Sequence, residues 1–113
     1  MISIRDNIIG GALTETTFLV LLAVYKPNHG YGILQFIKRE TNGRVILGAG
    51  TLYGAINTLL KKEWIAPLND ESDSKKKEYI ITDAGKEKAE NELKRLGDVW
   101  RLAAAIMEGS KGE

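Results

Sequence analysis

Few residues of this chain could act in catalysis or bind a metal, and their types do not indicate an enzyme. The chain holds one histidine, His29, and no cysteine. Nucleophilic or metal-assisted catalysis needs several positioned groups, such as a base beside a nucleophile or three protein ligands around a metal. The composition therefore indicates no catalytic residue, no metal site and no cofactor, and we interpret His29 as a residue at the start of a helix.

The strongest chemical pattern lies in residues 48–60, GAGTLYGAINTLL, which we interpret as the start and body of one short amphipathic helix. Its apolar stripe and its small, polar opposite face follow the helical period. A face without bulk suits the close approach of something large, and the groove of a DNA duplex is the leading candidate. The alternative is a core helix whose outer face has no binding role. The stripe comprises Leu52, Ile56, Leu59 and Leu60, and the opposite face comprises Gly50, Gly54, Asn57, Thr58 and Lys61.

Length and composition set further bounds. A chain of 113 residues with 43% hydrophobic content suits one modest domain, which oligomerisation would help to stabilise. The formal net charge is only +1, so a positive surface for nucleic acid must come from local clustering. The apolar runs are far shorter than the ~20 residues that span a bilayer, and the N-terminus lacks a signal-peptide pattern. A cytoplasmic protein that does not bind membranes is expected.

Helices are also predicted before the helix of residues 48–60, which we call the central helix. Residues 1–12 are interpreted as a short or frayed helix. The next helix is capped by Thr14 and runs to about Lys26, because Pro27 disfavours helical dihedrals in the residue before it. Residues 28–32 are predicted to be a turn.

A further helix follows this turn and stops at residues 42–43, Asn-Gly. Residues 44–47 then form a short connection to the central helix. Two helices joined in this way, the second with a small and polar outer face, make a helix-turn-helix.

The period changes after the central helix to that of extended strands. Residues 64–68 and 75–81 are predicted to form a β-hairpin with a polar tip, and Pro67 argues for an edge strand. The returning strand begins with Lys75, Lys76 and Lys77. Such a run is either a solvated strand end or a set of phosphate contacts, and its place beside a helix-turn-helix favours the second interpretation.

The last helix is predicted to begin at Thr82 or Asp83 and to run to about Glu108, and its C-terminal half is apolar over a broad arc. Such a surface packs most simply on the same helix of a second copy, which gives a two-fold dimer. We expect residues 1–81 to form a winged helix-turn-helix and residues 82–113 a dimerisation helix with a tail, as one compact unit. The dimer residues are Leu93, Leu96, Val99, Trp100, Leu102, Ala103, Ile106 and Met107.

Three motifs resemble the PadR family of bacterial transcriptional regulators. They are GTLY at residues 50–53, HGYGI at residues 29–33, and YIIT at residues 79–82 with Gly85 beyond it. The resemblance extends from about Leu13 to Met107. It implies a mostly α fold with a small β-hairpin: a winged helix-turn-helix repressor, dimeric through its C-terminal helix. It also implies that a small, often aromatic or planar, effector releases the protein from its operator.

The chain departs from the family pattern at three positions. Trp64 stands where the family usually has a glycine that ends the recognition helix, and a tryptophan there should avoid positive φ. Glu78 replaces a common aromatic residue, and Ala49 replaces a frequent hydroxyl-bearing helix cap. These departures predict altered wing geometry and a weaker helix start.

Together, the residues and the resemblance favour a DNA-binding regulator, with a winged-helix module for protein interaction as the alternative. An enzyme would explain the fewest of these sequence features. For Tyr53, the ring is expected to pack while the hydroxyl reaches a phosphate, although a plain boundary tyrosine remains an alternative. The DNA-binding residues are predicted to be Ala49, Gly50, Thr51, Tyr53, Gly54, Asn57, Thr58, Lys61, Lys75, Lys76 and Lys77.

Trp100 carries the hypothesis of an effector site. With Leu96 and Ala103 it would line an apolar slot at the two-fold axis, wide enough for a flat aromatic molecule. Alanines at 103–105 would leave room beside the ring. The alternative is that Trp100 only fills the dimer core, or packs on Phe18 and Tyr25.

Overall fold

The computed structural model describes residues 11–68 and 77–111. The predicted helix at residues 1–12 therefore lies almost wholly outside the described residues. The structure divides into two compact units, one formed by Leu13–Ala89 and one that includes residues 90–111. The elements are α1 (Glu15–Ala23), β1 (Asn28–His29), α2 (Gly30–Glu40), α3 (Ala49–Lys61), β2 (Ile65–Pro67), β3 (Glu78–Ile81) and α4 (Asp83–Lys111).

Helix α1 begins as predicted and ends earlier than predicted. The Thr14 hydroxyl accepts a hydrogen bond from the Thr17 amide at 3.1 Å, which satisfies one of the free N–H groups of the first turn. The helix ends at Ala23 instead of about Lys26. The reason is tertiary, because the Val24 carbonyl accepts from the Ile81 amide of β3 at 2.9 Å and so leaves the helical path.

The prediction of a turn over residues 28–32 was wrong, because the first two residues form a strand and residues 30–32 already belong to α2. Asn28 and His29 form β1, which pairs with Tyr79 and Glu78 of β3. The result is a three-stranded antiparallel sheet in the order β1-β3-β2. The helix-start interpretation of His29 is confirmed, since its Nδ1 accepts from the Gly32 amide at 3.2 Å.

The turn between α2 and α3 follows the predicted stop signal. Asn42 and Gly43 both adopt positive φ, at 53° and 79°. The Gly43 amide donates to the Lys38 carbonyl at 2.8 Å, which satisfies one of the free carbonyls at the end of α2. Asparagine and glycine are the residues that accept this left-handed conformation most readily.

Helix α3 differs from the sequence interpretation at both ends. Gly48, and not Ala49, is the N-cap, and it has no side chain to cap with. At the other end Glu63 takes positive φ, at 61°, so Trp64 avoids the conformation that was expected to strain it. The Trp64 amide donates to the Leu59 carbonyl at 3.0 Å and the Glu63 amide to the Leu60 carbonyl at 3.0 Å, the bonding pattern of a Schellman cap.

The hairpin after α3 is confirmed within the described residues. Ile65 pairs with Ile81, and Pro67 with Tyr79. Strand β2 is an edge strand, which tolerates the missing N–H of Pro67. The predicted tip, with Lys75 and Lys76, lies outside the described residues.

The core of the first unit comes from all three of its complete helices and from the sheet. The apolar stripe of α3 was predicted correctly, since Leu52, Ile56 and Leu59 are buried and Leu60 is partly buried. Each fully buried aliphatic side chain contributes about 1.5–3 kcal/mol relative to an exposed one. The largest fully buried side chains are Val20, Leu21, Val24, Ile33, Ile37, Leu52, Ile56, Leu59 and Ile65.

Helix α4 starts where predicted and runs three residues further, to Lys111. The Thr82 hydroxyl accepts from the Gly85 amide at 3.0 Å and donates to the Glu63 carbonyl at 2.7 Å. It thereby ties the helix start to the end of α3. The first unit extends to Ala89, so it includes the first turns of α4. No helix in the described part of the chain is long and apolar enough to cross a bilayer.

Candidate nucleic-acid interface

The outer face of α3 is open to solvent along its whole length. A Cβ atom added to Gly48, Gly50 or Gly54 would meet no side chain or other segment within 4 Å among the described residues. Nothing in this part of the chain therefore covers the glycines. The exposed positions of the helix are the same eight positions that the sequence predicted to contact DNA, which are Ala49, Gly50, Thr51, Tyr53, Gly54, Asn57, Thr58 and Lys61.

Two polar side chains on this face differ in what they can still bind. The Thr58 hydroxyl donates to the Gly54 carbonyl at 3.0 Å, so its proton is already used within the helix. The Asn57 carboxamide makes no hydrogen bond with any residue in the described ranges. Its donor and acceptor are both available, which is the combination that reads the edge of adenine.

Tyr53 lies at the edge of this face and is 45% exposed. Its phenol lies against Gly30 at the start of α2, where an added Cβ would be 3.1 Å from Tyr53 Cζ and closer still to Oη. Burial, and then the nearby Tyr53, raise the pKa of Tyr79 on β3. The sequence placed Tyr53 at a boundary, but the contact with Gly30 is a long-range feature that it could not supply.

Among the described residues, the positive charges around α3 differ in whether they are already paired. Lys61 and Lys62 are exposed at the end of α3, and Lys77 is half-buried before β3. The Arg44 guanidinium donates to both carboxylate oxygens of Glu15 at the start of α1. These hydrogen bonds lower the pKa of Glu15 and raise that of Arg44. Arg44 is therefore partly neutralised, whereas the lysines at the end of α3 make no ion pair among the described residues.

The second unit presents a broad apolar face. Trp100 is 70% exposed and Leu96 is 40% exposed, whereas Ala103 is half-buried. Ion pairs of Glu92 with Arg95 and of Asp98 with Arg101 lie along the same helix. The other exposed residues expected at a dimer contact are Leu93, Val99, Leu102, Ile106 and Met107.

No group of three or more His, Asp or Glu side chains among the described residues could hold a metal ion. His29 is occupied as a helix cap. The candidate binding surfaces are therefore the polar face of α3 and the apolar face of α4.

Comparison with known proteins decides the family. Residues 18–91 match the PadR-like family of transcriptional regulators. The chain belongs to that family. Its members are transcriptional regulators and not enzymes.

The relatives and solved structures agree with this assignment. The chain is 35% identical over 108 residues to protein X of Lysinibacillus sphaericus, covering 94% of this chain and 97% of that protein. A PadR-like transcriptional regulator from Bacillus cereus has the same fold, with a TM-score of 0.65, 20% identity, and coverage of 81% of this chain and 89% of that one.

PadR of Bacillus subtilis, solved in complex with operator DNA, also shares the fold, with a TM-score of 0.58 and 18% identity. The alignment covers 86% of this chain and 63% of that one. The mostly helical winged-helix fold predicted from the sequence is confirmed.

The glycines of two PadR-like motifs have packing roles in this chain. A Cβ on Gly32 would overlap the carboxamide of Asn28, which donates to the Ala23 carbonyl at 3.1 Å and accepts from the His29 amide at 2.9 Å. A Cβ on Gly85 would overlap the Trp64 carbonyl group and lie 2.8 Å from Ile81 Cγ1. Both glycines belong to motifs that carried the resemblance to the family, and in this chain they allow neighbouring groups to pack closely.

Proposed function

We propose that this PadR-like protein regulates transcription by binding duplex DNA, with α3 in the major groove. The observation that carries the proposal is the outer face of α3, where no side chain projects from Gly48, Gly50 or Gly54 and nothing in the described chain covers them. A major groove about 12 Å wide admits a helix, and a face without bulk lets the helix backbone approach the base edges closely.

The remaining side chains on that face suit a groove. Asn57 supplies a free carboxamide for a base edge, and Thr51 and Thr58 supply methyl groups and acceptor oxygens. Ala49 adds a small apolar contact beside the glycines. Lys61 lies in the last turn, where a cation meets a phosphate and positions the helix.

Retention on duplex DNA at increasing salt tests this proposal. A DNA-binding protein is retained at low salt and released as salt rises, because phosphate contacts release counterions. The alternative is a winged-helix module for protein interaction, which accounts for the fold but not for the free cations beside α3. Failure to retain the protein on any duplex at low salt would favour that alternative.

The second part of the proposal is that the protein acts as a homodimer and represses its target. The exposed apolar face of residues 90–111 would pack on the same helix of a second copy. Two recognition helices would then meet successive turns of one DNA face, ~34 Å apart. A dimer bound to its operator in this way would keep RNA polymerase off that DNA. The proposed role also implies a cytoplasmic location.

The wing lysines give the first prediction. Changing Lys75, Lys76 and Lys77 together to glutamine is expected to weaken binding to all DNA sequences alike. Removing each phosphate-bound cation should flatten the slope of log K against log salt by about 0.9. Anisotropy titrations at several salt concentrations measure both effects, and a change in sequence preference with the slope preserved would contradict this role.

Trp100 gives the second prediction, which concerns the effector. We propose that Leu96, Trp100 and Ala103 line an apolar slot between the two C-terminal helices and that a planar aromatic molecule binds there. A Trp64→Phe variant leaves only Trp100 to report, and removes a ring that lies 5.2 Å from the Lys88 ammonium. Planar aromatic compounds are expected to quench the remaining fluorescence and to lower DNA affinity.

The competing role for Trp100 is packing in the dimer. No quenching by any member of a broad panel, together with a Trp100→Ala variant that sediments as a monomer, would assign the ring to packing alone. Wild-type protein measured in the same sedimentation experiment provides the dimer reference.

A further inference from the structure

Gly30, the first residue of α2, is a glycine that its backbone does not require. Among the described glycines only Gly43 has positive φ, so Gly30 could be replaced by alanine without dihedral strain. Alanine also has the higher helix propensity. The reason for glycine at this position must therefore be the space that a side chain would fill.

That space is occupied by Tyr53 of α3. A Cβ on Gly30 would overlap the Tyr53 hydroxyl, would lie 3.1 Å from its Cζ and would lie 3.7 Å from Leu52 Cδ2. The phenol thus lies over the first turn of α2, although almost half of its surface remains exposed. Tyr79 lies near enough for Tyr53 to influence its titration.

We propose that Gly30 is a positioning residue for DNA recognition, because its missing side chain forms the seat that holds the Tyr53 phenol at the edge of the α3 face. The inference rests on the proposed DNA-binding function. From this seat the Tyr53 hydroxyl donates to a backbone phosphate beside the groove. A donor that is already fixed loses little conformational freedom on binding, so the seat adds to affinity.

The test begins with Gly30→Ala. The overlapping group is the far end of a half-exposed side chain, so the phenol should swing into solvent while the fold is kept. The expected result is a melting temperature close to that of the wild type, with DNA affinity roughly tenfold lower because a charge-assisted hydrogen bond is no longer made. The salt slope should stay close to that of the wild type, since a neutral hydroxyl releases no counterion.

Tyr53→Phe removes the hydroxyl and should reproduce this loss of affinity. The decisive variant is the double change Gly30→Ala with Tyr53→Phe, which should bind DNA no more weakly than Tyr53→Phe alone. Non-additivity of this kind shows that Gly30 acts through the Tyr53 hydroxyl. Additive losses, or normal affinity in Gly30→Ala, would overturn the proposal.

Gly32→Ala is the matched control, since it makes the same change two residues further along α2. Its Cβ would displace Asn28, which has two hydrogen bonds within the fold, and not Tyr53. We expect a lower melting temperature but normal DNA affinity when the folded protein is titrated at low temperature. An affinity loss equal to that of Gly30→Ala would overturn the proposal, because a general disturbance of α2 would then explain both.

Failure of this inference remains distinguishable from failure of the proposed DNA-binding function. If Gly30→Ala fails to fold, the variant Gly30→Ala with Tyr53→Ala must fold, because the seat is then empty, and failure of that double variant would overturn the inference. If wild-type protein binds no duplex, the proposed function fails. If it binds and Tyr53→Phe binds equally well, only the inference fails.

Discussion

Replacing Gly54 by glutamate is expected to abolish specific DNA binding and to leave the fold intact. The position is helical, exposed and open, so the protein itself has room for the new side chain. In the complex, however, the carboxylate would be forced toward base edges and phosphates. Juxtaposed like charges cost several kcal/mol at an interface, so we expect a loss of at least about a hundredfold in affinity. Circular dichroism and anisotropy titration measure the fold and the binding.

Two control variants separate charge and bulk from general effects. Gly54→Ala adds only a methyl group and removes a helix-destabilising glycine, so it should raise stability by up to about 1 kcal/mol. Gly109→Glu introduces the same charge at an equally open glycine of α4 and should bind DNA normally. Undiminished DNA affinity in Gly54→Glu would refute the placement of α3 in the groove.

Gly85→Ala is expected to destabilise the protein strongly. The new Cβ would overlap the Trp64 carbonyl group and crowd Ile81, and a backbone carbonyl cannot swing aside as a side chain can. Overpacking of this kind costs about 3 kcal/mol, at the upper end of the usual range. We expect a fall in melting temperature on the order of 10 °C, which thermal unfolding followed by circular dichroism would measure.

The matched control for this prediction lies in the same helix. Gly109→Ala makes the same substitution in α4, where an added Cβ meets nothing within 4 Å among the described residues. It should leave the melting temperature unchanged or slightly higher, since alanine favours the helix. A Gly85→Ala variant as stable as the Gly109→Ala variant would show that the Trp64 contact is not tight.

Much of the fold is visible in the sequence because its signals are local. Thr14 and Thr82 cap helices through their own hydroxyls, and Asn42 with Gly43 ends α2 through its own dihedrals. The apolar stripe of α3 follows the helical period, so most of its buried residues could be predicted, although Ala55 is also buried and was not part of the predicted stripe. The outer face of α3 could be predicted for the same reason.

The features that sequence reasoning missed depend on distant partners. Strand β1 has only two residues and no alternation of its own, and exists because β3 pairs with it. The early end of α1 follows from the bond between Val24 and Ile81. Likewise, the glycine at position 30 is explained only by a phenol that arrives from α3. In each case tertiary contact overrides local preference.

Base-analogue interference on the duplex upstream of the protein's own gene tests the central claim most directly. Replacing purines singly by their 7-deaza analogues removes the N7 acceptor in the major groove, and 3-deazaadenine removes an acceptor in the minor groove. Insertion of α3 into the major groove predicts that 7-deaza substitutions weaken binding in two clusters about 10 base pairs apart, and that 3-deazaadenine has no effect within those clusters. Weakening by 3-deazaadenine with tolerance of every 7-deazapurine would contradict that insertion.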